Sequence, residues 1–138
     1  LSGYQDVLQK NGLPVDETLI ARGDWGVDSG YRAAQELLAR KERPTAIFAA
    51  NDIMALGAIY AIPEAGLQIP GDIALVGYDD SDFAEWIRPA LTTIRMPSYE
   101  MGLAAARLLL EQFAGEEMED ATQIPGKLII RDSCGAKQ

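Results

Sequence analysis

RPTAIFAANDIMALGAIYAIPEAGLQIPGDIALVGYDDSDFAEWIRPALTTIRMP, residues 43–97, contains two short apolar runs that each end in polar residues. Ala46 to Ala50 leads into Asn51-Asp52, and Ile73 to Gly77 leads into Tyr78-Asp79-Asp80. Continuous rather than alternating hydrophobicity is what a strand covered on both faces shows. The segment between them, about Asp52 to Ala65, has the length of a helix. Strand, helix and strand together predict a parallel pair joined by a right-handed crossover. In an open α/β sheet the ligand crevice lies at the carboxyl ends of the strands. An amide and several carboxylates at these tips therefore stand where a polar small molecule would be held.

The intervening helix is apolar all round, since Ile53 through Ile62 includes no polar group except the Tyr60 phenol. A surface helix usually shows only one apolar stripe. A second layer or a second subunit is therefore expected over it, and a chain this short favours the subunit. Pro63 lacks an N–H and crowds the Ile59 carbonyl, which predicts a kink or an early end.

Upstream, apolar spacing predicts a helix over Ser2 to Lys10, stopped by Asn11-Gly12. Thr18 to Ala21 is a short candidate strand that places Trp25 at a strand-to-helix corner. Tyr31, Ala34, Leu37 and Leu38 set a helix over Asp28 to Arg40, with Asp28 or Ser29 as its N-cap. Downstream, Asp80 to Arg88 is a loop or short helix carrying Phe83 and Trp86, and Leu91 to Ile94 is a brief strand. A long helix starts at Pro97-Ser98 and runs through Phe113 to Gly115. A solvated acidic turn follows at Glu116 to Asp120, and Gln123 to Arg131 is the last strand. Internal repeats and low-complexity tracts are absent.

The 138 residues, 48% hydrophobic, suffice for one core. A formal charge of -9 is the opposite of the basic footprint that phosphate backbones require, so this segment is not expected to touch nucleic acid itself. The single cysteine, Cys134, has no partner for an internal disulfide and reads as an inert tail residue. No apolar run approaches the roughly 20 residues of a membrane span. With neither an initiator methionine nor a signal peptide at its start, the chain is expected to be a piece of a longer one.

Histidine is absent, which removes Ser-His-Asp and Cys-His pairs, histidine-ligated zinc and the usual neutral-pH base. Phosphate-binding P-loops and G-x-G-x-x-G loops are absent as well. Asp80-Ser81-Asp82 offers a faint likeness to an aspartyl-phosphate phosphatase of the haloacid dehalogenase type. No following strand presents the further acids that would hold magnesium. The expectation is therefore no enzyme, no cofactor and no metal.

The run PTAIFAANDIMALGAIYAIPEAGLQIPGDIALVGYDD, followed by PALTTIRMPSYEMG, resembles the effector-binding core of the LacI/GalR family of bacterial transcription regulators. GYQDVLQKNGLPVD and GDWGVDSGYRAAQELL agree with it in order and spacing. The resemblance implies a three-layer, parallel-sheet lobe of the periplasmic-binding-protein-like type, class I, that is incomplete. Residues 1–138 would be the carboxyl-terminal lobe, with the 98–115 helix normally part of the other lobe. A helix-turn-helix domain and a hinge would lie outside this chain, and DNA would be met only there. In this cytoplasmic regulator a small-molecule effector, a sugar or nucleoside, would shift the population between two lobe orientations and so change operator binding.

The same resemblance puts Trp25, Asn51 and Asp79 in the effector cleft. Their chemistry suits it, with an aromatic face for a ring, an amide that donates and accepts, and an acid that accepts from hydroxyls. Each residue has a plainer alternative, namely N-cap for Asn51, turn cap for Asp79 and core for Trp25. The resemblance also implies homodimerisation, for which Leu56, Trp86 and Ile87 are the candidate contacts. Met96 departs from the family, whose members often carry a polar glutamine there. An arginine that relatives place ahead of the first helix would precede Leu1. Without its own lobe, the 98–115 helix is expected to pack non-natively or to exchange between chains. A periplasmic sugar-binding protein, which shares the fold, is the main alternative.

Overall fold

The structure, a computed structural model, describes residues 1–115 and 123–136. In chain order it contains α1 (Ser2–Lys10), α2 (Val27–Leu38), β1 (Ala46–Phe48), α3 (Asp52–Glu64), β2 (Ala74–Val76), β3 (Thr93–Arg95), α4 (Ser98–Ala114) and β4 (Lys127–Ile129). Short 3-10 turns lie at Glu17–Leu19 and Asp132–Cys134. The expected acidic turn at Glu116 to Asp120 falls outside the described residues.

β1 and β2 pair in parallel, Ile47 opposite Leu75, with α3 as the crossover. β3 joins β2 through isolated parallel bridges, Val76 to Thr92 and Asp79 to Arg95, instead of a continuous ladder. Where that ladder is interrupted, the buried Ser133 hydroxyl accepts from the Thr92 N–H at 2.9 Å and donates to the Leu75 carbonyl at 2.6 Å. β4 runs antiparallel to β3, with Ile94 opposite Leu128. The parallel expectation thus holds for the first three strands and fails for the last, the edge strand, where such reversals are common.

The core lies where α2 and α3 meet the sheet, around Leu37, Leu38, Ile47, Ile59, Ile62 and Leu75. Gly30 and Gly57 allow the two helices to touch backbone to backbone. A Cβ at Gly30 would lie 2.2 Å from the Met54 carbonyl oxygen, and one at Gly57 would lie 2.2 Å from that of Val27. α3 buries Ala55, Ala58, Ile59, Ala61 and Ile62 but leaves Ile53 and Leu56 half-buried and Tyr60 exposed. That stripe, spaced i, i+3, i+7, is the part of the apolar circumference that this chain alone does not cover. α3 includes Pro63 and ends one residue later at Glu64, and Gly66 follows at φ 77°.

Several boundaries differ from expectation for local reasons. Thr18 to Ala21 forms no ladder, because the Asp16 carboxylate accepts from the Thr18 N–H at 2.9 Å and closes a 3-10 turn there. A cavity of about 630 Å³ then remains beside β1, lined by Tyr4, Ile20, Ala34, Leu37, Ile47 and Phe48 among others. The N-cap of α2 is Gly26, not Asp28 or Ser29. Ser29 is buried and bonds back to the Gly26 carbonyl at 2.9 Å. The strand expected at Leu91 to Ile94 is displaced to Thr93–Arg95, since Leu91 and Thr92 are engaged by the carboxyl-terminal segment. Of Gln123 to Arg131, only Lys127–Ile129 pairs. None of the α4 residues is buried against the other described residues.

Candidate functional site

The tips of the strands form one connected surface. The Asn51 side chain accepts from the Met54 N–H at 2.8 Å, so it caps α3, and its amide nitrogen donates to the Trp25 carbonyl at 3.1 Å. The capping alternative is therefore real, and the same side chain fastens the Trp25 loop to the first tip. Trp25 has φ 72° and is 66% exposed, so the reading of it as core fails. Asp52 N–H donates to the Tyr78 carbonyl at 2.8 Å and joins the first tip to the second. Trp25, Asn51 and Asp79 are thus held at one end of the sheet by a short chain of hydrogen bonds.

Asp79 and Asp80 both have positive φ, 119° and 60°. Non-glycine residues occupy this region at a cost of about 1–3 kcal/mol each, and only where the surroundings over-determine them. Here four successive residues are pinned. Tyr78 C=O is held by Asp52 N–H, and Asp79 N–H donates to the Ile94 carbonyl at 2.9 Å. Asp80 N–H donates to the Thr93 hydroxyl at 3.3 Å, and Ser81 N–H donates to Asp52 Oδ2 at 2.7 Å. Among the described residues the Asp79 carboxylate accepts no hydrogen bond, so it does not cap the turn at Ser81. Asp79 is exposed as a residue, yet local burial of its carboxyl pushes it up, and the nearby charge of Asp52 pushes it further.

Two acids beside it do structural work that local sequence signals do not disclose. Asp52 is fully buried, and its second oxygen accepts from the Thr93 hydroxyl at 2.6 Å. Gly77 makes room for it, since a Cβ there would lie 2.2 Å from Asp52 Oδ1. Asp80 accepts from Arg95 Nε at 2.6 Å and from Arg131 Nη2 at 2.7 Å. Burial raises its carboxyl, but the two guanidinium groups outweigh this and hold it below the ordinary range. A carboxylate engaged this way is a poor nucleophile, which removes the phosphatase alternative. Among the described residues no group of three or more His, Cys, Asp or Glu side chains could hold a metal ion.

The cavity beside β1 is a different feature. Its lining is mainly apolar and includes neither Asn51 nor Asp79, so it is a gap at the sheet edge and not the polar site. Of the candidate interface residues, Trp86 is 73% exposed. Ile87 is half-buried against the core, and Leu56 is half-buried on α3. Met96 follows β3 and is half-buried.

Residues 1–134 match the model of the periplasmic binding protein-like domain. The repressor CytR of Escherichia coli K12 is 40% identical over 137 residues, covering 99% of this chain and 40% of CytR. The structure of the transcriptional regulator CelR in complex with cellobiose superposes with a TM-score of 0.85 at 40% identity, over 95% of this chain and 40% of that one. The lac repressor dimer bound to operator and the anti-inducer ONPF gives 0.86 at 34%, over 98% and 46%. The chain spans about two fifths of the length of the curated relatives it matches. Those relatives are transcriptional repressors, in line with the expectation that this chain is no enzyme. The chain belongs to the periplasmic-binding-protein-like domain family, in the form that LacI-family transcriptional regulators carry.

Proposed function

We propose that this chain is the effector-sensing and dimerisation part of a cytoplasmic LacI-type regulator. A sugar or nucleoside binds at the strand tips, and DNA is met through a domain that is not among these residues. The observation that carries the proposal is the Asp79 carboxylate, which accepts no hydrogen bond among the described residues, at the same end of the sheet as the Asn51 amide and the exposed Trp25 ring. An acid and an amide that grip hydroxyls, with a ring face packed on the apolar side of a sugar, are the usual elements of such a site. The half-buried Met96 makes this part of the cleft less polar than a glutamine would. α4 is read as belonging to the second lobe, consistent with its burying nothing here. The Ile53, Leu56 and Tyr60 stripe, with Trp86 and Ile87, is read as the dimer face. Aromatic residues are enriched in such patches.

The effector relation follows population-shift logic, in which a ligand that prefers one lobe orientation moves the equilibrium by its differential affinity. The test is calorimetric titration of the chain with cellobiose, sucrose and a set of nucleosides, repeated on Trp25→Ala and Asp79→Asn. A ligand whose affinity falls at least tenfold in both variants, with Trp86→Ala unaffected, supports the site. Unchanged binding in both variants refutes it. Sedimentation of wild type and Leu56→Glu separates the dimer reading from a monomeric transport receptor.

A further inference from the structure

Asp79 and Asp80 are consecutive non-glycine residues at positive φ, and such backbone persists only where its surroundings over-determine it. The hydrogen bonds that do so originate on β3, on Asp52 at the start of α3, and on the segment after β4. Arg131 is the most firmly seated of these partners. Its N–H donates to the Thr92 hydroxyl at 2.8 Å, and its carbonyl accepts from the same hydroxyl at 3.2 Å. Its Nη1 donates to the Leu91 carbonyl at 2.8 Å, while Nη2 reaches Asp80 Oδ1 at 2.7 Å. The Arg131 side chain is 15% exposed, against 57% for Arg95 on the other oxygen. One planar fork thus ties the backbone before β3 to the side chain of the residue next to Asp79, which an ammonium on a flexible stem cannot reproduce.

We propose that Arg131, acting through Asp80, is a positioning residue for the effector acid. It holds the 79–80 backbone at positive φ, and this leaves the Asp79 carboxylate without a hydrogen-bond partner among the described residues and available to ligand. This rests on the reading of Asp79 as an effector-binding residue. The arrangement also links the tip to the strands on both sides of α4, because Arg95 ends β3 and Arg131 lies just past β4.

The experiment compares this chain with its Arg131→Gln, Arg131→Lys and Ser133→Ala variants. Ser133→Ala removes buried hydrogen bonds in the same segment without touching the ion pair, so it reports what loss of stability alone does. Positive φ brings a residue's amide and α hydrogens together, which gives strong intraresidue NOEs at Asp79 and Asp80. These are expected to weaken in both Arg131 variants and to persist in Ser133→Ala. With cellobiose as the probe, the dissociation constant is expected to rise at least tenfold in Arg131→Gln and less than twofold in Ser133→Ala. Wild-type NOE intensities in a folded Arg131 variant overturn the proposal, as does equal weakening of binding in Arg131→Gln and Ser133→Ala. Should Arg131→Gln not fold, Arg131→Lys decides on the same readouts. A wild type that does not bind cellobiose counts against the sugar reading, and the NOE comparison then decides the positioning role by itself.

Discussion

Gly77→Ala should destabilise the chain because of one buried carboxylate and not because of backbone conformation. The φ of Gly77 lies outside the left-handed region, so alanine is allowed there. Its methyl, however, would sit 2.2 Å from Asp52 Oδ1 and 3.0 Å from Leu91 Cδ2. If the carboxylate swings away, it gives up hydrogen bonds from the Thr93 hydroxyl and the Ser81 N–H. Bonds to a charged group contribute about 1.5–3 kcal/mol each, so that route costs about 3–6 kcal/mol. If the backbone shifts instead, overpacking typically costs about 1–3 kcal/mol. The cheaper route sets the loss, and reduced freedom of the unfolded chain returns about 0.4–1 kcal/mol. A net loss of about 1.3 kcal/mol is expected, seen in urea as a fall of about 0.6 M in midpoint for a typical slope. The decisive assay is a double-mutant cycle followed by circular dichroism. In an Asp52→Ala background, where only the Leu91 contact remains, Gly77→Ala should cost less than in wild type by more than the about 0.5 kcal/mol within which independent sites add. Equal losses in both backgrounds would refute the assignment of Gly77 to the carboxylate.

Gly57→Ala drives a methyl into the α2 backbone at Val27 and Tyr31, so it should cost about 1–3 kcal/mol or more in urea unfolding. Ser133→Ala leaves the Thr92 N–H and Leu75 carbonyl without their partner, and the desolvation penalty of about 1–3 kcal/mol should appear in the same measurement. Asp79 and Asp80 should respond to pH with opposite signs. The Asp79 carboxyl is raised by burial and then by Asp52, so its ionised form opposes folding at neutral pH. Asp79→Asn should therefore melt above wild type at pH 7, the gap closing as pH falls through the raised value. Asp80 is held low, because its two arginines outweigh burial, so its contribution is present above the ordinary carboxylate range. Asp80→Asn should melt below wild type at pH 7, the difference fading as pH falls through the lowered value. A melting temperature for Asp79→Asn below that of wild type at pH 7 would contradict the first sign.

The helices were legible because their apolar spacing is local, and Asn51 was legible because strand-end amides cap helices. The unbroken runs at Ala46 to Ala50 and Ile73 to Gly77 likewise exposed the parallel pair and the location of its tips. What remained hidden depends on distant partners. Nothing local marks Asp52, whose carboxylate is fixed by Thr93 and Ser81, far along the chain. Arg131 meets Asp80 across 51 positions, and no local spacing rule reaches that far. Thr18 to Ala21 has strand composition, but Asp16 offers its backbone a nearer partner and a turn wins. The direction of β4 was missed because a single short strand after a helix carries no signal of its orientation.

α4 contains 17 residues and none of them is buried, whereas α2 and α3 share the core. Tertiary packing supplies most of the stability of a protein helix, and isolated helices near this length are marginal in water. Opening free energies vary along a chain and follow contact density. In this chain the amides of α4 should therefore exchange with solvent deuterium almost as those of a free peptide would. Those of α2 and α3 should wait for global unfolding. One short polypeptide then carries two cooperative units, one of which becomes stable only when something else is present to fold against.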